Sequence, residues 1–210
     1  MTAGPLAYLR RPAADDPAGA LVLLHGRGAD MNDLFPLLDA LDPERRLLGI
    51  TPQGPLTLPP GGHHWYRLGG IPTPDRETFS ASLAQLATFL DGLPLPVNRI
   101  VLGGFSQGAV MALSLALGAG RPRPAGLLAL SGFTPQVDGF ALDVRGLDDF
   151  PAAVVHGALD PVIPSAYGKE TAVMLRDAGA DVIWFESPVP HTIDPRALPE
   201  LQTLVARALP

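Results

Sequence analysis

A Gly-x-Ser-x-Gly pentapeptide, from Gly104 to Gly108, separates a run typical of a buried strand from a run typical of a helix. The strand pattern covers 99–103 and the helical pattern covers 107–117. For both elements to form, the chain must turn sharply at Ser106, and the flanking glycines allow the close backbone approach that such a turn needs. The motif therefore predicts a strand, a tight turn with a serine at its apex, and a helix.

Short runs rich in valine, isoleucine and leucine alternate with helical patterns along the chain, which is typical of an α/β fold with a mostly parallel sheet covered by helices on both faces. The predicted strands are 6–10, 20–24, 47–51, 99–103, 126–130, 152–155 and 181–185. The predicted helices are 31–41, 78–90, 107–117, 165–178 and one that Asp194 and Pro195 begin. Because 210 residues fit one domain and no insertion is long enough for a cap, we predict a single domain over 1–210.

The segment 51–74 is rich in proline and glycine and shows little periodicity. It contains the aromatic pair Trp65 and Tyr66, which a solvated linker has little reason to carry, so we interpret it as a loop packed over a site. Two further apolar residues, Phe133 and Ile163, also follow predicted strands. The loop positions of these four side chains favour a partly apolar substrate-binding wall over simple core packing.

Composition limits the classes of partner. The net charge of −6 and the lack of a basic run disfavour nucleic acid and anionic membrane surfaces. No apolar run approaches the roughly 18 residues that span a bilayer, and the N-terminus lacks a charged segment followed by an apolar one, so we expect no stable membrane association and a cytoplasmic location. The sequence has no cysteine, which leaves any nucleophilic catalysis to a serine. It leaves open whether the chain forms a homodimer.

Three predicted strands are each followed by a residue suited to nucleophilic catalysis: Ser106, then Asp160, then His191. Ligands of open α/β sheets bind at the carboxyl ends of the strands, so we expect these residues to meet there. In this interpretation Ser106 attacks an acyl carbon, His191 transfers the proton, and Asp160 orients the imidazole. Asp194 is an alternative partner for His191, but its place before Pro195 is typical of a helix cap.

Acyl transfer also needs two donors for the oxygen anion that forms in the transition state. The backbone N–H of Gln107 follows the serine directly and lies at the start of the predicted helix. The second donor is expected from the glycine-containing turn 24–30, where we predict the backbone N–H of Arg27.

The remaining histidines and one serine are interpreted as non-catalytic. His25 and His156 each precede a glycine at the end of a predicted strand, which favours a structural role in bonding loop backbone near the site. His63 and His64 lie in the glycine-rich loop and are expected to be exposed, and no set of metal ligands can be assembled around them. Ser131 also ends a strand but lacks the flanking glycines, so we interpret it as part of a pocket wall.

Five ordered motifs together resemble the phospholipase/carboxylesterase family, which includes acyl-protein thioesterases and small bacterial carboxylesterases. They are Leu23-Leu-His25-Gly26-Arg-Gly28-Ala-Asp30, Pro52-Gln-Gly-Pro55, Gly62 with Trp65-Tyr66, Gly104-Phe-Ser106-Gln-Gly-Ala109, and His156-Gly-x-x-Asp160-x-x-Ile-Pro164. The resemblance covers the chain from about 20 to 191. It implies an α/β-hydrolase without a cap, acting on esters or thioesters without a cofactor or metal, and it puts Ser106, Asp160 and His191 on the positions of the family's triad.

The sequence therefore predicts a serine hydrolase that cleaves short- to medium-chain carboxylic esters through an acyl-enzyme on Ser106. An acyl-thioesterase and a lysophospholipase are close alternatives. A different class, a non-catalytic protein that binds a small molecule on a hydrolase fold, stays open because fold alone does not fix function.

Overall fold

Nine strands form two sheets within residues 5–209, the part of the chain that the computed structural model describes. The strands are β1 (Tyr8–Arg11), β2 (Gly19–Leu24), β3 (Leu47–Pro52), β4 (Leu56–Leu58), β5 (Gly62–His64), β6 (Ile100–Phe105), β7 (Gly126–Leu130), β8 (Pro151–Gly157) and β9 (Asp181–Ser187). Seven of them pair in the order β1-β3-β2-β6-β7-β8-β9. Only the β1–β3 pairing is antiparallel in this sheet. All seven predicted strands are present, with bounds that differ by a few residues.

Between residues 5 and 209, five α-helices cover the sheet on both faces. They are α1 (Phe35–Leu41), α2 (Arg76–Asp91), α3 (Gln107–Leu117), α4 (Ser165–Asp177) and α5 (Leu198–Ala208). Helices α2, α3 and α4 pack on one face, and α1 and α5 pack on the other. In β2, Leu21 and Leu23 point to the second face while Val22 and Leu24 point to the first, as the two-residue period of a strand requires. Burial from both sides explains why the central strands are almost continuously apolar.

Two helices begin later than predicted. The helix predicted over 31–41 does not begin beside Asp30, whose Oδ1 accepts a hydrogen bond from the Asn32 backbone N–H at 2.8 Å and closes a local turn. The helix instead starts at Phe35, next to Pro36 in its first turn. At the C-terminal end, Asp194 caps a short 3-10 helix, Pro195–Ala197, that precedes α5.

The glycine-rich segment 51–74 contains a β-hairpin, β4–β5, that the sequence did not predict. The hairpin is attached to the turn between β2 and α1. Its His63 N–H donates to the Ala29 carbonyl at 2.8 Å, and the Gly28 N–H donates to the His63 carbonyl at 2.8 Å. Gly62 packs so closely on this turn that a Cβ there would lie 2.3 Å from the Gly28 oxygen. The hairpin is therefore fixed to the turn that includes Arg27.

Candidate active site

Ser106 lies on the tight turn that the pentapeptide predicts, between the end of β6 and the start of α3. Its backbone is in a strained conformation, with φ of 56° and ψ of −119°, and its N–H donates to the Leu130 carbonyl at 2.9 Å. The flanking glycines make this turn sterically feasible. A Cβ on Gly104 would lie 2.3 Å from the carbonyl carbon of Gly108, and one on Gly108 would lie 1.9 Å from the Leu24 oxygen. Neither position accepts a side chain without movement of the backbone.

The structure brings Ser106, His191 and Asp160 into one hydrogen-bonded chain. The Ser106 Oγ is 3.0 Å from His191 Nε2, and His191 Nδ1 is 2.6 Å from Asp160 Oδ2. A carboxylate only accepts, so the imidazole donates from Nδ1 and its Nε2 is left to accept the serine proton. Ser106 is 8% exposed, and the ring of Phe105 packs 4.7 Å from the His191 ring. Residues of the types that can act as nucleophile, base and orienting acid are thus in mutual contact.

The loop after β8 holds the Asp160 carboxylate rigidly. Its Oδ1 accepts from the backbone N–H groups of Val162 at 2.8 Å and Ile163 at 2.9 Å. Burial alone would raise the pKa of Asp160, but the hydrogen bonds from His191 and from these two amides outweigh it and hold the pKa below its ordinary value. The carboxylate is therefore ionised at neutral pH and able to stabilise a positively charged imidazole.

His156 is a buried neighbour of the same carboxylate. Its Nε2 donates to the Ile163 carbonyl at 2.8 Å and lies 3.4 Å from Asp160 Oδ2. Burial lowers the pKa of His156, so the ring is neutral. The ring lies against Gly168, where a Cβ would be 2.3 Å from Nδ1. This arrangement agrees with the structural role predicted for His156.

The two amides predicted as oxyanion donors lie on segments that meet at the nucleophile. Gln107 is the first residue of α3, directly after Ser106. Arg27 follows Gly26, at which a built Cβ would be 3.4 Å from Ser106 Cβ. Among the residues that the structure describes, neither the Gln107 N–H nor the Arg27 N–H donates a hydrogen bond. Both amides are therefore free to receive a ligand oxygen.

The interpretation of Trp65 and Tyr66 as a partly apolar substrate-binding wall is wrong. Their side chains are 0% and 2% exposed, and they belong to the core on the α3 face of the sheet. The Tyr66 ring packs edge-on against Phe79, with ring centroids 6.0 Å apart. Phe133 and Ile163 are also largely buried, and their contact with substrate stays a prediction.

The other polar residues singled out in the sequence lie outside the catalytic contacts. Asp194 binds Arg196 through its side chain and does not reach His191 in place of Asp160. His64 is buried rather than exposed, because its Nδ1 bonds the Tyr66 carbonyl at 3.1 Å within the β5 region. Ser131 is buried at the end of β7. Across residues 5–209, no group of three His, Asp or Glu side chains is arranged to hold a metal ion.

A serine on a strained strand-to-helix turn, followed along the chain by an acid and a histidine on later loops of a mostly parallel sheet, defines an α/β-hydrolase. The chain belongs to the Phospholipase/Carboxylesterase family, whose sequence model matches residues 11–208. It is an enzyme of the ester hydrolase class.

Comparison with individual proteins agrees with this membership. The chain is 30% identical to acyl-protein thioesterase 1 of Gibberella zeae, in an alignment that covers 100% of this chain and 99% of that one. The crystal structure of the Bacillus cereus carboxylesterase is similar with a TM-score of 0.83 and 25% identity, covering 97% of this chain and 94% of that one. Acyl-protein thioesterase 2 of Zea mays has the same fold, with a TM-score of 0.77, 23% identity, and coverage of 97% and 99%. The predicted α/β-hydrolase fold is confirmed, and within residues 5–209 it carries no cap domain.

Proposed function

We propose that this chain is a serine hydrolase that cleaves carboxylic esters of short to medium acyl chains through an acyl-enzyme on Ser106. The observation that carries the proposal is the chain of two hydrogen bonds from Ser106 Oγ through His191 to Asp160, at 3.0 and 2.6 Å. A protein that only bound a small molecule would not need this set of groups in contact.

In the acylation step, Ser106 Oγ attacks the ester carbonyl carbon while His191 Nε2 takes the hydroxyl proton. The carbonyl oxygen becomes an anion that the Gln107 and Arg27 amides bind. When the tetrahedral intermediate collapses, the bond to the leaving oxygen breaks, and His191 gives its proton to the departing alcohol. The acyl group stays on Ser106, and Asp160 stabilises the charged imidazole throughout the step.

In the deacylation step, a water molecule takes the place of the alcohol. His191 removes a proton from the water, the resulting hydroxide attacks the acyl carbon, and the same two amides bind the oxyanion. The proton then returns to Ser106 Oγ as the carboxylic acid leaves. The sequence of steps needs no redox change and no group beyond these residues and water.

The identity of the leaving group distinguishes the main proposal from its alternatives. The similarity to acyl-protein thioesterases supports a thioester substrate as the second candidate. A series of p-nitrophenyl esters and acyl-CoA thioesters of matched chain length separates the two. The proposal holds if kcat/KM for short and medium esters exceeds that for the matched thioesters, and it gives way to the thioesterase if the order is reversed.

A fluorophosphonate probe is expected to label this protein once, at Ser106. Only a serine that is activated by a base attacks the phosphorus rapidly. Intact-mass and peptide mass spectrometry measure the number of adducts and their position. Labelling at another serine would contradict this expectation. The absence of any label in a folded sample that still binds ligands would favour the non-catalytic alternative.

Replacing Asp160 by asparagine is expected to lower kcat by about 10³- to 10⁴-fold without loss of the fold. The asparagine oxygen can keep the bonds to the Val162 and Ile163 amides, but its NH₂ group then faces His191 Nδ1 and imposes the wrong tautomer. The matched control is Asp194→Asn, because Asp194 contacts Arg196 and not His191. Steady-state kinetics measures kcat for both variants. If Asp194→Asn lost activity and Asp160→Asn kept it, the orienting role would belong to Asp194.

The cytoplasmic location and the homodimer stay predictions. None of the helices described between residues 5 and 209 combines the length and apolar character needed to cross a bilayer. The substrate is proposed as a small acyl ester or thioester, and nucleic acid is not proposed as a partner.

A further inference from the structure

Three buried polar side chains outside the triad connect the nucleophile turn to the turn that includes Arg27. They are His25, Trp65 and Gln107, and their side chains are between 0% and 4% exposed. Polar groups this deep are costly unless they are hydrogen-bonded. Each of the three makes its bonds to backbone groups of segments around the reacting serine.

The His25 ring holds the peptide group that carries the predicted oxyanion donor. Its Nδ1 is 2.7 Å from the Gly26 carbonyl oxygen, which belongs to the same peptide group as the Arg27 N–H. A peptide group is planar and its N–H points away from its C=O, so a bond that fixes one fixes the direction of the other. Donation to the carbonyl also polarises the N–H and strengthens it as a donor.

The partners of His25 define its protonation state. The Gly26 carbonyl only accepts, and the Gly54 N–H, 2.9 Å from Nε2, only donates. The ring must therefore be neutral with its proton on Nδ1. Burial lowers the pKa of His25, which agrees with this state. The ring is committed to the Gly26–Arg27 peptide and is not available as a base.

Trp65 holds the preceding peptide group. Its indole Nε1 donates to the His25 carbonyl at 2.8 Å, and that carbonyl belongs to the His25–Gly26 peptide. The indole and imidazole rings are also in contact, with centroids 5.2 Å apart. The His25–Gly26 and Gly26–Arg27 peptide groups are thus held by the Trp65 and His25 side chains. Gly26 itself lies against Phe105 and Ser106, where a Cβ would be 3.2 and 3.4 Å from the nearest atoms.

The Gln107 side chain joins this arrangement to the nucleophile turn. Its Oε1 accepts a hydrogen bond from the backbone N–H of Trp65 at 3.1 Å, and its Nε2 donates to the Tyr66 carbonyl at 2.8 Å. Gln107 supplies the other predicted oxyanion donor through its own backbone. The two donors are therefore connected through hydrogen-bonded side chains rather than through flexible loop alone.

We propose that His25 and Trp65 are positioning residues that aim the Arg27 N–H at the oxyanion, with the Gln107 side chain keeping the two donors at a fixed separation. The proposal rests on the proposed function, since it needs an oxyanion at Ser106. Both side chains are buried and bond backbone carbonyls, so in this proposal they act through the backbone of residues 25–27.

The test compares variants that remove one hydrogen bond at a time. Trp65→Phe removes the indole N–H and keeps an aromatic ring. His25→Asn keeps a donor at the position of Nδ1, whereas His25→Gln moves the amide to the level of Nε2 and loses the bond to Gly26. Trp184→Phe is the matched control for the tryptophan change, because Trp184 lies on β9, an edge strand that β6, β7 and β8 separate from β2.

Three quantities are measured for each variant, at a temperature well below its unfolding midpoint. The first is kcat/KM for p-nitrophenyl butyrate. The second is the inhibition constant of an alkyl trifluoromethyl ketone, which forms a tetrahedral oxyanion on serine, and the third is the inhibition constant of butyrate, which forms no such oxyanion. We expect Trp65→Phe and His25→Gln to lower kcat/KM and the ketone's affinity in parallel by about 10- to 100-fold, less than the 10²–10³ of deleting a donor outright. Butyrate affinity should stay unchanged, and His25→Asn should recover most of the loss.

A purely structural role predicts a different pattern, in which the unfolding midpoint falls while kcat/KM and the ketone's affinity match the wild type. That result in either Trp65→Phe or His25→Gln would overturn the proposal, and so would an equal loss in Trp184→Phe. If one variant fails to fold, the other decides. An inactive wild type that a fluorophosphonate does not label would instead refute the proposed function itself.

Discussion

Replacing Ser106 by alanine is expected to lower kcat for p-nitrophenyl butyrate by about 10⁴- to 10⁶-fold. The methyl group leaves no atom that can form the acyl-enzyme, and His191 loses the hydroxyl 3.0 Å from its Nε2. A small rate above that of water should remain, because the oxyanion amides and the substrate-binding groups are intact. The fold should persist, since the bond that anchors this turn runs from the backbone N–H of residue 106 to the Leu130 carbonyl.

Steady-state kinetics and circular dichroism check both parts of this expectation. Ser131→Ala is the matched control, because Ser131 also ends a strand, has a positive φ of 50° and is buried. Its activity should stay close to that of the wild type. If Ser106→Ala kept most of its activity, Ser106 would not be the nucleophile.

Replacing Gly108 by alanine is expected to prevent stable folding, with a loss of more than about 4 kcal/mol in the free energy of unfolding. Helix propensity alone predicts the opposite, a gain of about 1 kcal/mol, because residue 108 lies in the first turn of α3. Contact distances decide between the two effects. The new Cβ would lie 1.9 Å from the Leu24 oxygen and 2.6 Å from the His25 oxygen, both backbone atoms of a buried strand end. Helix and strand cannot separate without opening the core.

Urea denaturation, or soluble yield if the variant does not accumulate, measures this loss. Gly61→Ala is the matched control, because no heavy atom lies within 4 Å of the built Cβ and its φ is not positive. That variant should unfold at the midpoint of the wild type. A Gly108→Ala protein of wild-type stability would show that β2 and α3 are farther apart than described here.

The sheet and the triad could be predicted from sequence because their signals are local and strong. A buried parallel strand needs a continuous apolar run, and Ser106, Asp160 and His191 each follow such a run directly. Strands of one parallel sheet end at one edge, so the three loops had to converge. The glycines at 104 and 108 indicate a close backbone approach, and the distances from a Cβ built at each position confirm it.

The parts that could not be predicted depend on contacts that leave no periodic pattern in the sequence. The predicted start of α1 at residue 31 is wrong, because the Asp30 side chain bonds the Asn32 backbone N–H in a local turn and the helix begins only at Phe35. The β4–β5 hairpin has strands of only three residues and gains order by pairing with the turn at 28–29. No periodicity can build up over such short strands.

Trp65 shows why loop position is a poor guide to exposure. Aromatic residues in a loop favour a substrate-binding wall, but the indole is fully buried in the core and donates its N–H to the His25 carbonyl. The sequence did carry one signal of this arrangement, since a buried Trp needs a backbone or side-chain acceptor. It gave no indication that the acceptor would be a carbonyl 40 residues away.

The attachment of the β4–β5 hairpin to the Arg27 turn has a consequence for protein engineering. In this chain the hairpin residue His63 and its neighbour Trp65 both bond the backbone on either side of Arg27. We therefore expect a chimera that replaces 56–65 as a unit to change the rate of acyl transfer together with the substrate range, and an exchange confined to 59–61 to leave the hydrogen bonds around Arg27 in place.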